Sequence, residues 1–318
     1  MKTIYFAGGC FWGAEKVFKA LPGVAETTVG YANGHTDAPT YQEVCTDTTG
    51  HRETVQVVYD PEAIGLETLL RAFFLVIDPE VRDRQGGDVG TQYQTGVYYA
   101  DDADRPSIER VFAEERAAHE QFFTELAPLR CFYPAEEYHQ DYLDKNPGGY
   151  CHVTREEMAE IEALAASLRR YRELSRQLAA LMEEEPWCIP VMANAAALLR
   201  ESLPDLNWAG FYLMRGGRLV LGPFQGKIAC IHIPVGRGVC GAAVREDRIQ
   251  RVADVHAFPD HIACDSASRS EIVLPIHAGG AVAAVLDLDS PLPDRFSAAD
   301  EAGLAAFVRT LEARIRFE

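Results

Sequence analysis

The hydrophobic pattern changes period several times along the first half of the chain. Residues 2–7 (KTIYFA), 24–31, 54–59 and 96–99 are short runs, apolar or alternating, of the kind that predicts strands. Residues 11–20, 66–77 and 103–124 instead repeat their apolar positions every three to four residues, which predicts helices. Between the second helix and strand 96–99 lies DPEVRDRQGGDVGTQYQ, a polar loop of a length uncommon in compact domains unless it carries function.

After NPGGYCHV the texture shifts to REEMAEIEALAASLRRYRELSRQLAALMEEE, rich in Ala, Leu, Glu and Arg and without Gly or Pro. This predicts one long helix, and Thr154 with Glu157 three residues later forms a capping-box signature at its start. The expected division is therefore a first domain over 1–153, a helical linker over 154–167 and a second domain over 168–318. Within the last, a helix at 191–201, strands near 208–214, 219–221, 228–233, 272–277 and 281–287, and a closing helix from Ser297 give an antiparallel meander bracketed by helices. The fold class is α+β in two domains.

Length agrees, since 318 residues exceed one ordinary domain. No apolar run approaches the ~20 residues of a membrane span, and the first residues lack the apolar core of a signal peptide. A cytoplasmic location is the expectation. The net charge is −18, and residues 1–152 hold 12 basic against 25 acidic side chains. Such a chain offers no basic field to nucleic acid or to anionic lipid. Eight cysteines in a reducing compartment point to redox chemistry, metal or buried thiols, and the absence of any CxxC pair argues against zinc.

GGCFWG, at residues 8–13, is where the first strand gives way to the first helix. The glycines permit a tight turn, and the turn sets Cys10 at a helix N-terminus, where free amides and the helix dipole favour a thiolate. Phe11 and Trp12 point in different directions from one helix, so both cannot enter one core; they suit a box around a thioether methyl. Further on, YQEVCTDTTGHRETVQV sets Tyr41, His51 and Glu53 around a turn, and the long loop brings Asp88 and Tyr93.

GCFWG, YQEV, GHRETVQV, DVGTQY, FYPAEEYHQDYL and GGYC, in that order over about residues 3–152, resemble the peptide-methionine (S)-S-oxide reductases. The resemblance implies an α/β roll with a ferredoxin-like core. It implies that Cys10 attacks the sulfoxide sulfur, and that Glu53, its pKa raised in an apolar pocket, protonates the oxygen. Tyr41 and Tyr93 would hold that oxygen, Phe11 and Trp12 would enclose the methyl group, and Asp88 would support the site. The sulfenic acid left on Cys10 would condense with Cys151, and thioredoxin would reduce the Cys10–Cys151 disulfide. Free methionine sulfoxide and oxidised proteins would be the substrates, and no cofactor is required. Cys45 and Cys131 read as buried thiols, and His139 as a structural hydrogen-bonding group near the site.

In the second half, GPFQGKIAC, GRGVCG and VHAFPDHIACDSASRSEIVLPI carry Cys230, Cys240 and Cys264. A tetrahedral metal set from His232, Cys240, His261 and Cys264 lacks the usual local ligand spacing. The stretch from about 168 to 317 resembles the free methionine-(R)-sulfoxide reductases, which are GAF-fold enzymes. That resemblance makes Cys264 the nucleophile, Cys230 its resolving partner and Cys240 an auxiliary thiol or an alternative nucleophile, and the sequence alone does not order the three. It makes Glu271, Asp287 and Asp289 the residues that bind a free ammonium group and the sulfoxide, with Trp208 and Tyr212 as pocket aromatics. Cys188 reads as structural. The rival reading is a non-catalytic GAF module that senses a ligand or redox state and regulates the first domain. A cysteine hydrolase built on Cys10 is a further rival.

Overall fold

The computed structural model describes residues 1–260 and 265–317, which form two compact units, Met1–Ala166 and Ser167–Glu318. In the first, a run buried on both faces makes β1 (Lys2–Ala7), and the turn at Gly8 and Gly9 leads into α1 (Phe11–Ala20). There follow β2 (Val24–Ala32), the short α2 (Tyr41–Val44), β3 (Arg52–Tyr59) and α3 (Leu66–Phe74). The polar loop folds into a two-residue ribbon, β4 (Arg84–Gln85) with β5 (Asp88–Val89), and a single 3₁₀ turn at Thr91–Tyr93. Then come β6 (Gly96–Tyr99), α4 (Arg105–Ala118), β7 (Glu125–Pro128), β8 (Phe132–Pro134) and α5 (Tyr142–Lys145).

Six of these strands form one sheet in the order β7-β6-β1-β3-β2-β8, antiparallel except for the parallel β6–β7 pair. Side chains alternate across a strand. Phe6 of β1 accordingly stacks on Phe18 of α1 and meets Phe73 of α3 on one face, while Tyr5 and Ala7 pack with Ala32, Tyr98 and Phe132 on the other. The register sets Tyr31 of β2 directly opposite Glu53 of β3, beside the start of α1.

The long helix α6 (Arg155–Glu184) begins in the first unit and ends in the second, and Thr154 and Glu157 exchange the hydrogen bonds of a capping box at its start. The second unit continues with α7 (Cys188–Ser202), β9 (Trp208–Arg215), β10 (Arg218–Gly226), β11 (His232–Pro234), α8 (Gly238–Glu246), β12 (Gln250–Val252), β13 (Ser270–Ala278), β14 (Ala281–Ser290) and α9 (Ala298–Glu312). Its sheet runs β11-β10-β9-β14-β13-β12 and is antiparallel throughout. One face packs against α6, α7 and α9 through Leu174, Leu178, Met192, Leu199, Leu304 and Phe307. The other carries Trp208, Tyr212, Val273 and Val285 under Val239 and Cys240 of α8.

The α+β expectation holds for both units. Several elements differ in extent. The predicted strand at 228–233 shrinks to β11, because β10 runs on to Gly226 and the following residues form a turn in which Ile228 is 90% exposed. The predicted helix at 103–124 ends at Ala118, since the next residues lead into the strand that pairs with β6. Among the described residues no helix is long and apolar enough to cross a membrane.

Candidate active sites

Gly9 has φ +81, a conformation that a side chain would strain, and this bend sets Cys10 at the N-cap of α1. The first free amides of the helix are both used. Phe11 N–H donates to Glu53 Oε2 at 3.1 Å, and the Trp12 amide interacts with the Cys10 sulfur. Glu53 is 2% exposed, and burial pushes its pKa up to about 8 despite that hydrogen bond.

The same environment overturns the expected thiolate on Cys10. Burial, with Glu53 next, pushes the thiol pKa well up, and the Trp12 amide offsets only part of this. Cys10 is thus held as a neutral thiol beside a carboxyl that keeps its proton to about pH 8.

Tyr41 and Tyr93 come together at the site. Tyr41 opens α2, and its N–H donates to Glu136 Oε1 at 2.9 Å. The Tyr93 hydroxyl interacts with that of Tyr41, and burial holds both phenols protonated, with Glu53 adding to the shift. Trp12 stacks on Tyr142 at 3.7 Å and donates from Nε1 to His139 Nδ1 at 3.2 Å. Phe11 packs against His139 and Tyr31. A carboxylate oxygen of Asp88, a His152 ring nitrogen and Cys10 Sγ lie within 4.8 Å of one another. Asp88 also accepts from the Tyr150 hydroxyl at 2.9 Å.

Cys151 packs on the first turn of α1. A β-carbon built on Gly13 would stand 3.1 Å from Cys151 Sγ and 3.0 Å from His152 Nδ1. Cys10 and Cys151 are both free. Sequence reasoning did not find Glu136, Tyr142, Tyr150 or His152. The signal available was position: the first two lie within the EEYHQDYL motif, and the last two flank Cys151.

In the second unit the register does the gathering. Glu271 pairs with Asp289, Asp289 with Trp208, and Asp287 with Gly210, so Glu271, Asp287, Asp289, Trp208 and Tyr212 share one sheet face. Trp208 stacks on Tyr212 and Phe224. Lys227, Ile228, Ala229 and Arg237 line the cleft above them.

Cys240 Sγ lies 4.0 Å from Glu271 Oε1, and both belong with Asp287 to a buried group whose donor atoms also lie within 4.8 Å. Burial raises the pKa of all three carboxyls, and their mutual repulsion raises it further at Glu271 and Asp289. The Cys240 thiol is pushed up by burial, then by Asp287 and Glu271. It is a covered, protonated thiol. Cys230 is partly exposed in the turn after β10. Cys264 and His261 lie outside the described residues.

Two units, each setting a buried thiol against carboxyl groups, have the make-up of a thiol-dependent redox protein. The chain belongs to the peptide methionine sulfoxide reductase family, whose model matches residues 2–167, and the GAF domain model matches residues 161–315. It is 52% identical over 157 residues to peptide methionine sulfoxide reductase MsrA of Clostridium acetobutylicum, covering 49% of this chain and 97% of that protein. The structure of the reduced form of fRMsr of Staphylococcus aureus is 49% identical, with 46% of this chain and 95% of that one covered and a TM-score of 0.45. The free methionine-R-sulfoxide reductase of Neisseria meningitidis, solved with its substrate, is 44% identical, with 45% and 87% covered and a TM-score of 0.44.

Proposed function

We propose that the chain is a two-headed methionine sulfoxide reductase. The first unit reduces methionine-S-sulfoxide, free or within proteins, and the second reduces free methionine-R-sulfoxide. The observation that carries the first half is the placement of a neutral thiol, a protonated carboxyl and two linked phenols about one helix N-terminus.

A sulfoxide sulfur becomes electrophilic when its oxygen is protonated, and Glu53 holds a proton at neutral pH for that purpose. Cys10 sulfur then bonds to the sulfoxide sulfur as its thiol proton passes to the Glu53 carboxylate, with Tyr41 and Tyr93 donating to the oxygen. Transfer of that oxygen to Cys10 releases the thioether and leaves a sulfenic acid, so methionine is reduced and Cys10 oxidised. Cys151 attacks the sulfenic acid, water leaves, and a thioredoxin-type dithiol reduces the disulfide. This recycling fits the cytoplasm, where such dithiols are maintained.

In the second unit the buried acidic face suits a free α-ammonium group, which a peptide-linked methionine lacks. Cys264 is proposed as nucleophile, Cys230 as its resolving thiol and Cys240 as an auxiliary. Opposite epimers present oxygen and methyl in mirror arrangement, which is why two sites are needed.

The test is NADPH consumption through thioredoxin and its reductase, with each pure epimer of free methionine sulfoxide. Cys10→Ser should abolish S turnover alone, and Cys264→Ser should abolish R turnover alone. Wild type that turns over no R epimer would return the second unit to the rank of a sensing module.

A further inference from the structure

The segment that brings Cys151 to the first site carries more than a thiol. Tyr150, Cys151 and His152 are consecutive, and each touches the site. Tyr150 holds Asp88 by its hydroxyl, while Cys151 Sγ and the His152 ring both approach to within 3.1 Å of where a Gly13 β-carbon would sit. Thiol and imidazole are therefore immediate neighbours on the first turn of α1. A ring nitrogen of His152 also lies within 4.8 Å of Cys10 Sγ and of an Asp88 carboxylate oxygen.

Both His152 ring nitrogens are shielded from solvent, and neither has a partner in ordinary hydrogen-bond geometry; the Gly8 backbone is the polar group that faces the ring. Leaving a buried polar group unpaired costs stability, so a side chain that only filled space here would do better as a hydrocarbon. An imidazole within 4.8 Å of one sulfur and packed on the same helix turn as a second, with a carboxylate near it, is placed to carry a proton between them.

We propose that His152 is the proton carrier of the disulfide-forming step in the first unit. The inference rests on the reading above, in which Cys10 becomes a sulfenic acid. His152 takes the Cys151 thiol proton, and the thiolate attacks Cys10 sulfur. The Cys10 S–O bond breaks as the S–S bond forms, and the imidazolium returns its proton to the departing hydroxide, which leaves as water. No external oxidant or reductant enters, and Asp88 stabilises the imidazolium while it exists.

The test is a single turnover of the full chain with pure methionine-S-sulfoxide and no reductant, comparing wild type with His152→Gln and His152→Ala. Two quantities are followed in one sample: the first equivalent of methionine released, and the loss of free Cys151 thiol. We expect methionine release within about twofold of wild type in both variants. Disulfide formation should slow at least tenfold, at the low end of general acid–base effects, and dimedone should trap sulfenic acid on Cys10. Added imidazole should restore the rate in His152→Ala.

Disulfide formation at the wild-type rate overturns the proposal. So does an equal fall in both quantities, which would mark His152 as a packing residue. Wild type that releases no methionine in the first turnover overturns the reading of Cys10 itself, and is told apart because it precedes the second step.

Discussion

The backbone N–H of Phe11 donates to Glu53 Oε2 at 3.1 Å, so the residue after Cys10 fixes the carboxyl proposed to serve it. One helix start thus aligns the proposed nucleophile and the proposed acid. Since burial raises the Glu53 pKa to about 8, the protonated fraction, and with it S-sulfoxide turnover, should fall as pH rises through about 8. Glu53→Gln should lose that limb together with about a hundredfold or more in kcat. A pH–rate profile of both proteins checks this, and an unchanged alkaline limb in the variant would assign it to another group.

Linkage fixes the sign of the stability effect of Glu53. Its folded pKa lies above the unfolded value, so between about pH 4.5 and 8 the folded chain binds more protons than the unfolded one. Stability is lost as pH rises across that window. Glu53→Gln keeps an acceptor for the Phe11 amide and should match wild type below about pH 4. At pH 8 it should unfold at higher denaturant, with a gain of the order of 2–4 kcal/mol. Denaturation curves at the two pH values read this directly.

Glu53 and its partners also mark how far the sequence reaches. Local signals were legible: the ends of β1 and α1 and the cap at Thr154 follow from periodicity, glycine and side-chain oxygen, which act within a few residues. Motif spacing likewise singled out Cys10 and Glu53. Glu136 was not legible, because its value comes from joining Tyr31 and Tyr41, about a hundred residues earlier in the chain. Nor was the neutral state of Cys10, since a helix dipole can be read from position whereas desolvation depends on everything packed around the sulfur. The apolar run at 228–233 misled for a related reason, as Ile228 lines the lip of a cleft rather than a core.

Trp12 is placed by two contacts of different kinds, stacking on Tyr142 and donation to His139 Nδ1. Burial lowers the His139 pKa, which keeps the acceptor nitrogen free of its proton. Trp12→Phe removes the donor and leaves that nitrogen unpaired. A loss of about 1 kcal/mol in positioning should appear as a several-fold rise in KM for methionine-S-sulfoxide, with kcat changed less. Steady-state kinetics separate the two, and a fall in kcat alone would place Trp12 in the chemical step instead.

In the second unit, Gly303 of α9 faces Tyr171 of α6 so closely that an added β-carbon would stand 2.1 Å from the ring. Tyr171 cannot easily retreat, being 1% exposed and donating its hydroxyl to Asp300 Oδ1 at 2.7 Å. Gly303→Ala improves helix propensity by about 1 kcal/mol, yet the overlap should win, with a net loss of about 1–3 kcal/mol. Calorimetry of the full chain should show one transition moved down, and R-sulfoxide turnover should be lost at a lower temperature than S turnover.

Asp287 separates recognition from stability. It is buried among Glu271, Asp289 and Cys240, and burial raises its pKa, so the folded second unit again binds extra protons above about pH 4. Asp287→Asn removes an ionisation that burial resists and that the hydrogen bonds from Cys240 and Glu271 only partly offset. The variant should therefore be more stable than wild type near pH 8 and indistinguishable below pH 4. The same change removes charge from the face proposed to receive the α-ammonium group, so KM for free methionine-R-sulfoxide should rise at least about tenfold, the effect of some 1.4 kcal/mol. Both readings come from one protein, and they pull in opposite directions. A variant that is stabilised at pH 8 yet keeps its KM would mean that the acidic face serves the thiols and not the substrate amine.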